Sequence, residues 1–197
     1  MYKFKKDGDQ YNLYKDNAPL TTPAGSPVAT MYQPVAKRLV KDLEKYGEDP
    51  SNPISLVAFQ YATIDFFMEM PREELEHSVA IGLEKDADWT FNCPTASPEP
   101  MMQWWGTFGK YSTQSENGKE WIPTLTLMQL CSVCIIGRAL ESVNIPFIVA
   151  TILEKKHLAG FAKEINKYYP YVSVAELKKY FDNFLFYFNA DGGSSNR

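Results

Sequence analysis

The sequence is poor in the residues that carry most protein chemistry. It holds three Cys and two His in 197 residues. That scarcity excludes a disulfide-stapled scaffold and argues against a zinc site built from protein ligands alone. Arginine is as sparse: Arg38, Arg72, Arg138 and Arg197 are the full complement, and the formal charge is −4. A general nucleic-acid binder carries a basic footprint, and none is present. Long apolar runs are missing too. The longest, Leu125 to Leu140, is broken by Gln129 and Arg138 and falls short of the ~20 residues that cross a bilayer. It reads as a buried helix of a soluble chain. No apolar segment follows Lys3, Lys5 and Lys6, and the first sixteen residues carry Asp7, Asp9 and Asp16 but no Arg. They read neither as a secretory signal nor as a mitochondrial presequence. The signatures GxGxxG, GxxxxGK[ST] and GxSxG are all absent.

What is abundant is apolar and aromatic surface: 45% of residues are hydrophobic and 14% aromatic. Residues 1–32 carry strand and turn signals. Tyr2-Lys3-Phe4 and Tyr11-Asn12-Leu13-Tyr14 flank Asp7-Gly8-Asp9, a hairpin signal. Asp16-Asn17 and the stretch Thr22 to Pro27 mark two more turns before Val28-Ala29-Thr30. From Pro34 the period becomes helical, with Val35, Ala36, Leu39, Val40 and Leu43 on one face and Lys37, Arg38, Lys41 and Glu44 on a solvated one. A second helix is expected from Ile54 to Phe67, apolar nearly all round. Pro71-Arg72-Glu73-Glu74 opens a third with the stripe Leu75, Val79 and Leu83. Residues 84–100 read as an extended connection, Met101 to Phe108 as a short aromatic helix and Tyr111 to Lys119 as a polar loop. Helices over 125–140 and 145–169 follow. Ser173-Val174-Ala175-Glu176 is a capping box. It opens a helix with Leu177, Tyr180, Phe181, Phe184, Leu185 and Phe188 on one stripe, ended by Asp191-Gly192-Gly193. The fold class expected is therefore α+β: a small N-terminal antiparallel β domain (1–32), a larger helical domain (33–169), and a C-terminal aromatic helix and tail (170–197).

Candidate chemistry is thin. Cys131 and Cys134 have CxxC spacing, but they lie in an apolar helix without a second Cys pair or a nearby His, so they read as small hydrophobes. His77 and His157 sit on charged helix surfaces without companions at metal-ligand spacing. Gly106 to Lys110 is too short for a phosphate loop. Neither a cofactor nor a metal is expected, and no enzymatic motif is present. Trp104-Trp105 point about 100° apart on a helix, so one is expected in the core and the other partly exposed, where it could stack a ligand or a peptide. Met68, Met70, Met101 and Met102 are adaptable apolar side chains that can suit an irregular partner, although filling the protein's own core is the expected use. The C-terminal helix serves either as the cover of the core or as a docking helix. Phe184 lies on its main stripe, and Phe186 and Tyr187 lie outside it.

Several segments, taken in order, resemble one family. Asp16-Asn17-Ala18-Pro19-Leu20-Thr21-Thr22-Pro23-Ala24-Gly25-Ser26-Pro27 is similar to the LDGRPLKTPAGNPL opening of the ATP synthase assembly chaperones that escort the alpha subunit of the catalytic head. Gly47-Glu48-Asp49, Asn52-Pro53-Ile54-Ser55-Leu56 and Ala62-Thr63-Ile64-Asp65 resemble that family's MPLTRLANTAID region at matching distance. Lys85-Asp86 stands where the family has Thr-Asp, Ser132 to Leu140 resembles its SLVLGLAL helix, and Ala150 to Glu154 its AARLEE segment. The resemblance spans roughly residues 10–160.

It implies a β domain followed by a helical domain, a location in the mitochondrial matrix, and a non-enzymatic role. That role is to shield the alpha subunit until a beta subunit replaces the chaperone. By position, Glu154 is the acidic residue implicated. The chain departs from the family at Trp89-Thr90-Phe91, at Asp42-Leu43 in place of a Glu-Trp pair, around Trp104-Trp105, and in the aromatic helix at 173–188. The partner-binding residues expected are Glu154, Trp104, Trp105, Phe184, Phe186 and Tyr187. The alternative expectation is a chaperone-derived accessory subunit held in a large mitochondrial complex by that helix.

Overall fold

The hairpin forms where its turn residues stand. β1 (Tyr2–Asp7) and β2 (Gln10–Lys15) pair antiparallel with Asp7 opposite Gln10. Gly8 between them takes φ 56°, a left-handed value that a side chain would resist. The next reversal uses Asp16 at φ 48° and Asn17 at φ 74°, residue types whose short polar side chains tolerate this region. It leads to β3 (Ala18–Pro19). β4 (Ala29–Thr30) returns to β2. In the computed structural model, which describes residues 1–52, 54–81, 122–139, 163, 166 and 173–191, these strands form one four-stranded antiparallel sheet. β1 lies on one side of β2, and β3 and β4 share the other.

Helix α1 (Gln33–Tyr46) starts with Pro34 in its first turn and ends at Gly47, which takes φ 77°. Its buried face is Val35, Ala36, Leu39, Asp42 and Leu43. Four of these were expected, and Asp42 was not. Helix α2 (Leu56–Ala62) starts two residues after the expected Ile54, and its path runs on to the expected end at Phe67 with a changed winding. Ser55 caps it, its hydroxyl accepting from the Val57 amide at 3.2 Å, as N-cap serines do. After Ala62 the chain widens into a π-turn over Thr63–Phe67. The Met68 amide donates to the Thr63 carbonyl at 2.9 Å, spanning five residues instead of four.

The C-terminal helix (Val174–Phe188) begins directly after Ser173, where the capping box placed it. Its stripe of Leu177, Tyr180, Phe181, Phe184 and Phe188 is buried. The Phe59 ring lies 5.1 Å from Tyr180 and 6.0 Å from Tyr187 between centroids. The chain divides into two compact units, Met1–Met70 with Ala175–Arg197, and Pro71–Val174. The boundaries expected at 32/33 and 169/170 thus do not separate the units. The sheet, α1, α2 and the C-terminal helix belong to one unit because the aromatic stripe needs an apolar partner, and α2 supplies it.

In the second unit, residues 72–81 are helical with Leu75 and Val79 buried. A short 3-10 turn (Ile122–Thr124) leads to a helix at Leu127–Ala139. That helix starts two residues later than expected because Thr126 and Gln129 form a capping box. The Gln129 amide donates to Thr126 Oγ1 at 3.2 Å, and the Thr126 amide donates to Gln129 Oε1 at 3.0 Å. Arg72 donates to Glu76 at 2.7 Å and to the carbonyls of Pro123 (3.1 Å) and Leu125 (2.7 Å). The expected extended connection, the aromatic helix with Trp104-Trp105, the polar loop and nearly all of the 145–169 helix lie outside the described residues. No helix among the described residues is long and apolar enough to cross a membrane.

Candidate partner-binding surface

The structure divides the expected site residues sharply. Phe184 is fully buried, and Tyr187 is 1% exposed. Neither presents a surface to a partner, which corrects their assignment as docking residues. The physical reason for Tyr187 is a pair of hydrogen bonds. Its hydroxyl lies 3.0 Å from Gln60 Oε1 and 3.0 Å from Thr63 Oγ1. Gln60 in turn donates to the Ala29 carbonyl at 2.7 Å, so one tyrosine joins the C-terminal helix, α2 and β4. Phe186 is half-buried, with the Arg38 guanidinium 5.8 Å from its ring centroid, a cation–π distance. Glu154, Trp104 and Trp105 lie outside the described residues.

A second buried polar group fixes the same helix. Asp42 accepts from Arg38 Nε at 3.0 Å and from the Leu56 amide at 2.9 Å. Arg38 also donates to Asn183 Oδ1 at 3.0 Å, and Asn183 Nδ2 donates to the Ile54 carbonyl at 2.8 Å. Arg38, expected on a solvated face, is therefore turned inward. A buried carboxylate requires a cation and a donor beside it, and Arg38 stands one helical turn away.

Three of the segments noted in the sequence, 16–27, 47–56 and 62–65, lie in this unit. Thr22 donates to Asp65 at 2.5 Å, tying the 16–27 segment to the π-turn. Glu48, in the loop after α1, accepts from Tyr2 Oη and Lys15 Nζ, each at 2.7 Å. These two donors hold its carboxyl below the ordinary value of 4.5 against the opposing effect of burial. The loop is shaped locally by Asp49, which accepts from the Ser51 amide at 2.9 Å and the Ser51 hydroxyl at 2.7 Å.

Exposed apolar side chains of this unit include Met68, one of the expected methionines, and Phe66, which was not expected. Phe66 is 61% exposed and Met68 53% exposed, at the end of the π-turn beside Asp65. Phe67 between them is buried. An exposed phenylalanine next to an exposed methionine is the kind of surface that adapts to a protein partner. The sequence offered no signal for it, because at α-helical spacing Phe66 and Phe67, seven and eight residues from Phe59, both fall on its stripe.

Cys131 and Cys134 are buried in the helix Leu127–Ala139. Burial pushes the Cys131 thiol up to about 12, with the neighbouring Cys134 adding to the shift. The Cys134 thiol lies 3.9 Å from the Leu75 carbonyl. A thiol held neutral is a poor nucleophile and ligand, in keeping with the hydrophobic role expected for the pair. Among the described residues no group of three His, Cys, Asp or Glu side chains is placed to hold a metal ion. Compared with protein-family models, curated proteins and solved structures, the chain matches none.

Proposed function

We propose that this chain is a protein-binding factor of ATP synthase biogenesis that shields the alpha subunit of the catalytic head before assembly. The observation that carries this reading is the way the resemblance segments are joined. Residues 16–27, 47–56 and 62–65, which resemble separate stretches of the assembly chaperones, contribute to one frame through Thr22–Asp65, Glu48–Lys15 and the Asp42-bound amide of Leu56. Collinear likeness whose parts also bond to one frame supports a common scaffold, although function still resides in the site it presents. On this reading Glu154, with Trp104 and Trp105, belongs to the alpha-subunit contact in the mitochondrial matrix, and Phe66 with Met68 extends the apolar contact area. The burial of Phe184 and Tyr187 weighs against the rival picture, in which the C-terminal helix anchors a permanent subunit.

Native pull-down of the tagged chain followed by gradient sedimentation tests the proposal. The expected result is association with unassembled alpha subunit and absence from the assembled complex. Stoichiometric co-migration with an intact complex overturns it in favour of the accessory-subunit reading. Glu154→Lys is expected to reduce assembly of alpha subunit; assembly at the wild-type level removes Glu154 from the contact.

A further inference from the structure

β1 is an edge strand, and its register shows which of its backbone groups are unused. The Asp16 amide donates to the Met1 carbonyl at 3.1 Å, and Phe4 stands opposite Leu13. Antiparallel pairs alternate between bonded and non-bonded, so Lys3, Lys5 and Asp7 make the bonds to β2. Leu13 confirms the alternation from the other strand. Its amide donates to Val28 and its carbonyl accepts from Leu20, each at 2.9 Å on the far side of β2. The amides and carbonyls of Tyr2, Phe4 and Lys6 therefore point outward, and among the described residues β1 pairs only with β2.

Charge decides what can occupy this edge. β1 carries Lys3, Lys5 and Lys6 against the single acid Asp7, within a chain of net charge −4. A second copy pairing antiparallel about Phe4 would set Lys3 opposite the second copy's Lys5, and the reverse, and like charges directly opposite repel. Lysines on an edge turn away further basic or self-pairing strands. They attract an acidic one.

We infer that β1 is a docking edge for an acidic extended segment of a protein partner, added as a further antiparallel strand to the sheet. The inference rests on the reading of this chain as a partner-binding factor and names how the partner is held. Residues directly opposite share a face of the sheet. The incoming strand, in its own direction, therefore meets Lys6, Lys5, Phe4, Lys3 and Tyr2 in turn. The matching order is acid, acid, apolar, acid, apolar. Main-chain bonds to Tyr2, Phe4 and Lys6 supply the pairing, and the lysines select the sequence. The Lys5 ammonium stands 5.1 Å from the Tyr14 ring centroid and that of Lys6 stands 6.0 Å from Tyr11, so rings of β2 hold both charges over the sheet beside the edge. The Lys3 ammonium donates to Asn17.

The test is fluorescence anisotropy of the whole chain with a labelled peptide carrying Glu-Glu-Val-Glu-Val. Saturable binding that weakens as salt is raised is expected, with no binding to the counterpart in which Lys replaces each Glu. Lys6→Pro removes an outward amide and leaves the ladder to β2 intact; it is expected to abolish binding, while Lys6→Gln keeps the amide and weakens binding only a few-fold. Lys3→Glu combined with Lys5→Glu does not depend on proline being tolerated. It is expected to lower affinity for the acidic peptide by about tenfold and to create affinity for the basic one. Wild-type affinity in the folded Lys6→Pro chain, or equal binding of the two peptides, overturns the inference. Alpha subunit separates this result from the proposed function. Capture by wild type and equally by the double variant removes the edge and leaves the function. Peptide binding without capture of alpha subunit leaves the edge and removes the function.

Discussion

The C-terminal helix and the π-turn after α2 carry the same kinds of side chain to opposite ends. Phe184 and Tyr187 are buried, whereas Phe66 and Met68 are exposed. The difference lies in the backbone. Along the C-terminal helix the α-helical period holds, so residues three and four apart stay on one face and the stripe is buried, with Tyr180 against Phe59 of α2. On α2 the same rule would place Phe66, seven residues from Phe59, on the buried face. The π-turn inserts one residue into the spacing, so that Phe67, eight residues from Phe59, is buried instead and Phe66 is turned out. One inserted residue thus converts a core position into surface.

The largest effect that sharpens this contrast is expected at Phe184. Phe184→Ala should lower the unfolding free energy by about 3–5 kcal/mol, the range for removing a buried phenylalanine, read by urea denaturation. A variant that keeps its stability but loses a partner would restore Phe184 to the docking surface. Asp42→Ala comes next, at about 2 kcal/mol, because the buried Leu56 amide and Arg38 both lose their acceptor. A loss no larger than that of a surface substitution would show that the Arg38–Asn183 bond alone holds the helix. Tyr187→Phe is expected to lower stability by about 1 kcal/mol through loss of the hydroxyl shared by Gln60 and Thr63. An unchanged melting curve would mean that packing alone seats the C-terminal helix.

Phe66→Ser should change stability by no more than about 0.5 kcal/mol while weakening capture of alpha subunit. A large loss of stability would place Phe66 in the core and break the comparison. The smallest effect concerns Glu48. Its carboxyl titrates below the ordinary 4.5 in the folded chain, so its contribution is present above that value and is lost as pH falls through the depressed one. Between about pH 5 and pH 3 the melting temperature of wild type should therefore fall more steeply than that of Glu48→Gln. Parallel curves would show that Tyr2 and Lys15 gain nothing from the charged form.

Much of the fold was legible where local chemistry decides it. Gly8, Asp16 and Asn17 announced the sheet's turns, Pro34 the start of α1, and Ser173 to Glu176 the last helix. The Thr126–Gln129 capping box was equally local and was missed, which moved one helix start by two residues. Other features were beyond sequence patterns. Arg38 and Asp42 look like a charged face until Leu56 and Asn183, distant in sequence, are brought to them. The π-turn is a backbone choice that the seven-residue spacing of Phe59 and Phe66 conceals. Of the expected site residues, Phe184 fell on its predicted stripe, yet its role followed from what packs against that stripe.

By itself the sequence determined most of the elements among the described residues and their order: an antiparallel sheet set by turn residues and helices set by caps and period. It also determined the lysine-rich alternation of β1. Only the tertiary structure decided that the last helix shares a unit with the first strands, that Arg38 turns inward and that Phe66 turns out. Turns, caps and periods act over a few residues, whereas burial depends on which distant surface arrives to remove water from an apolar face.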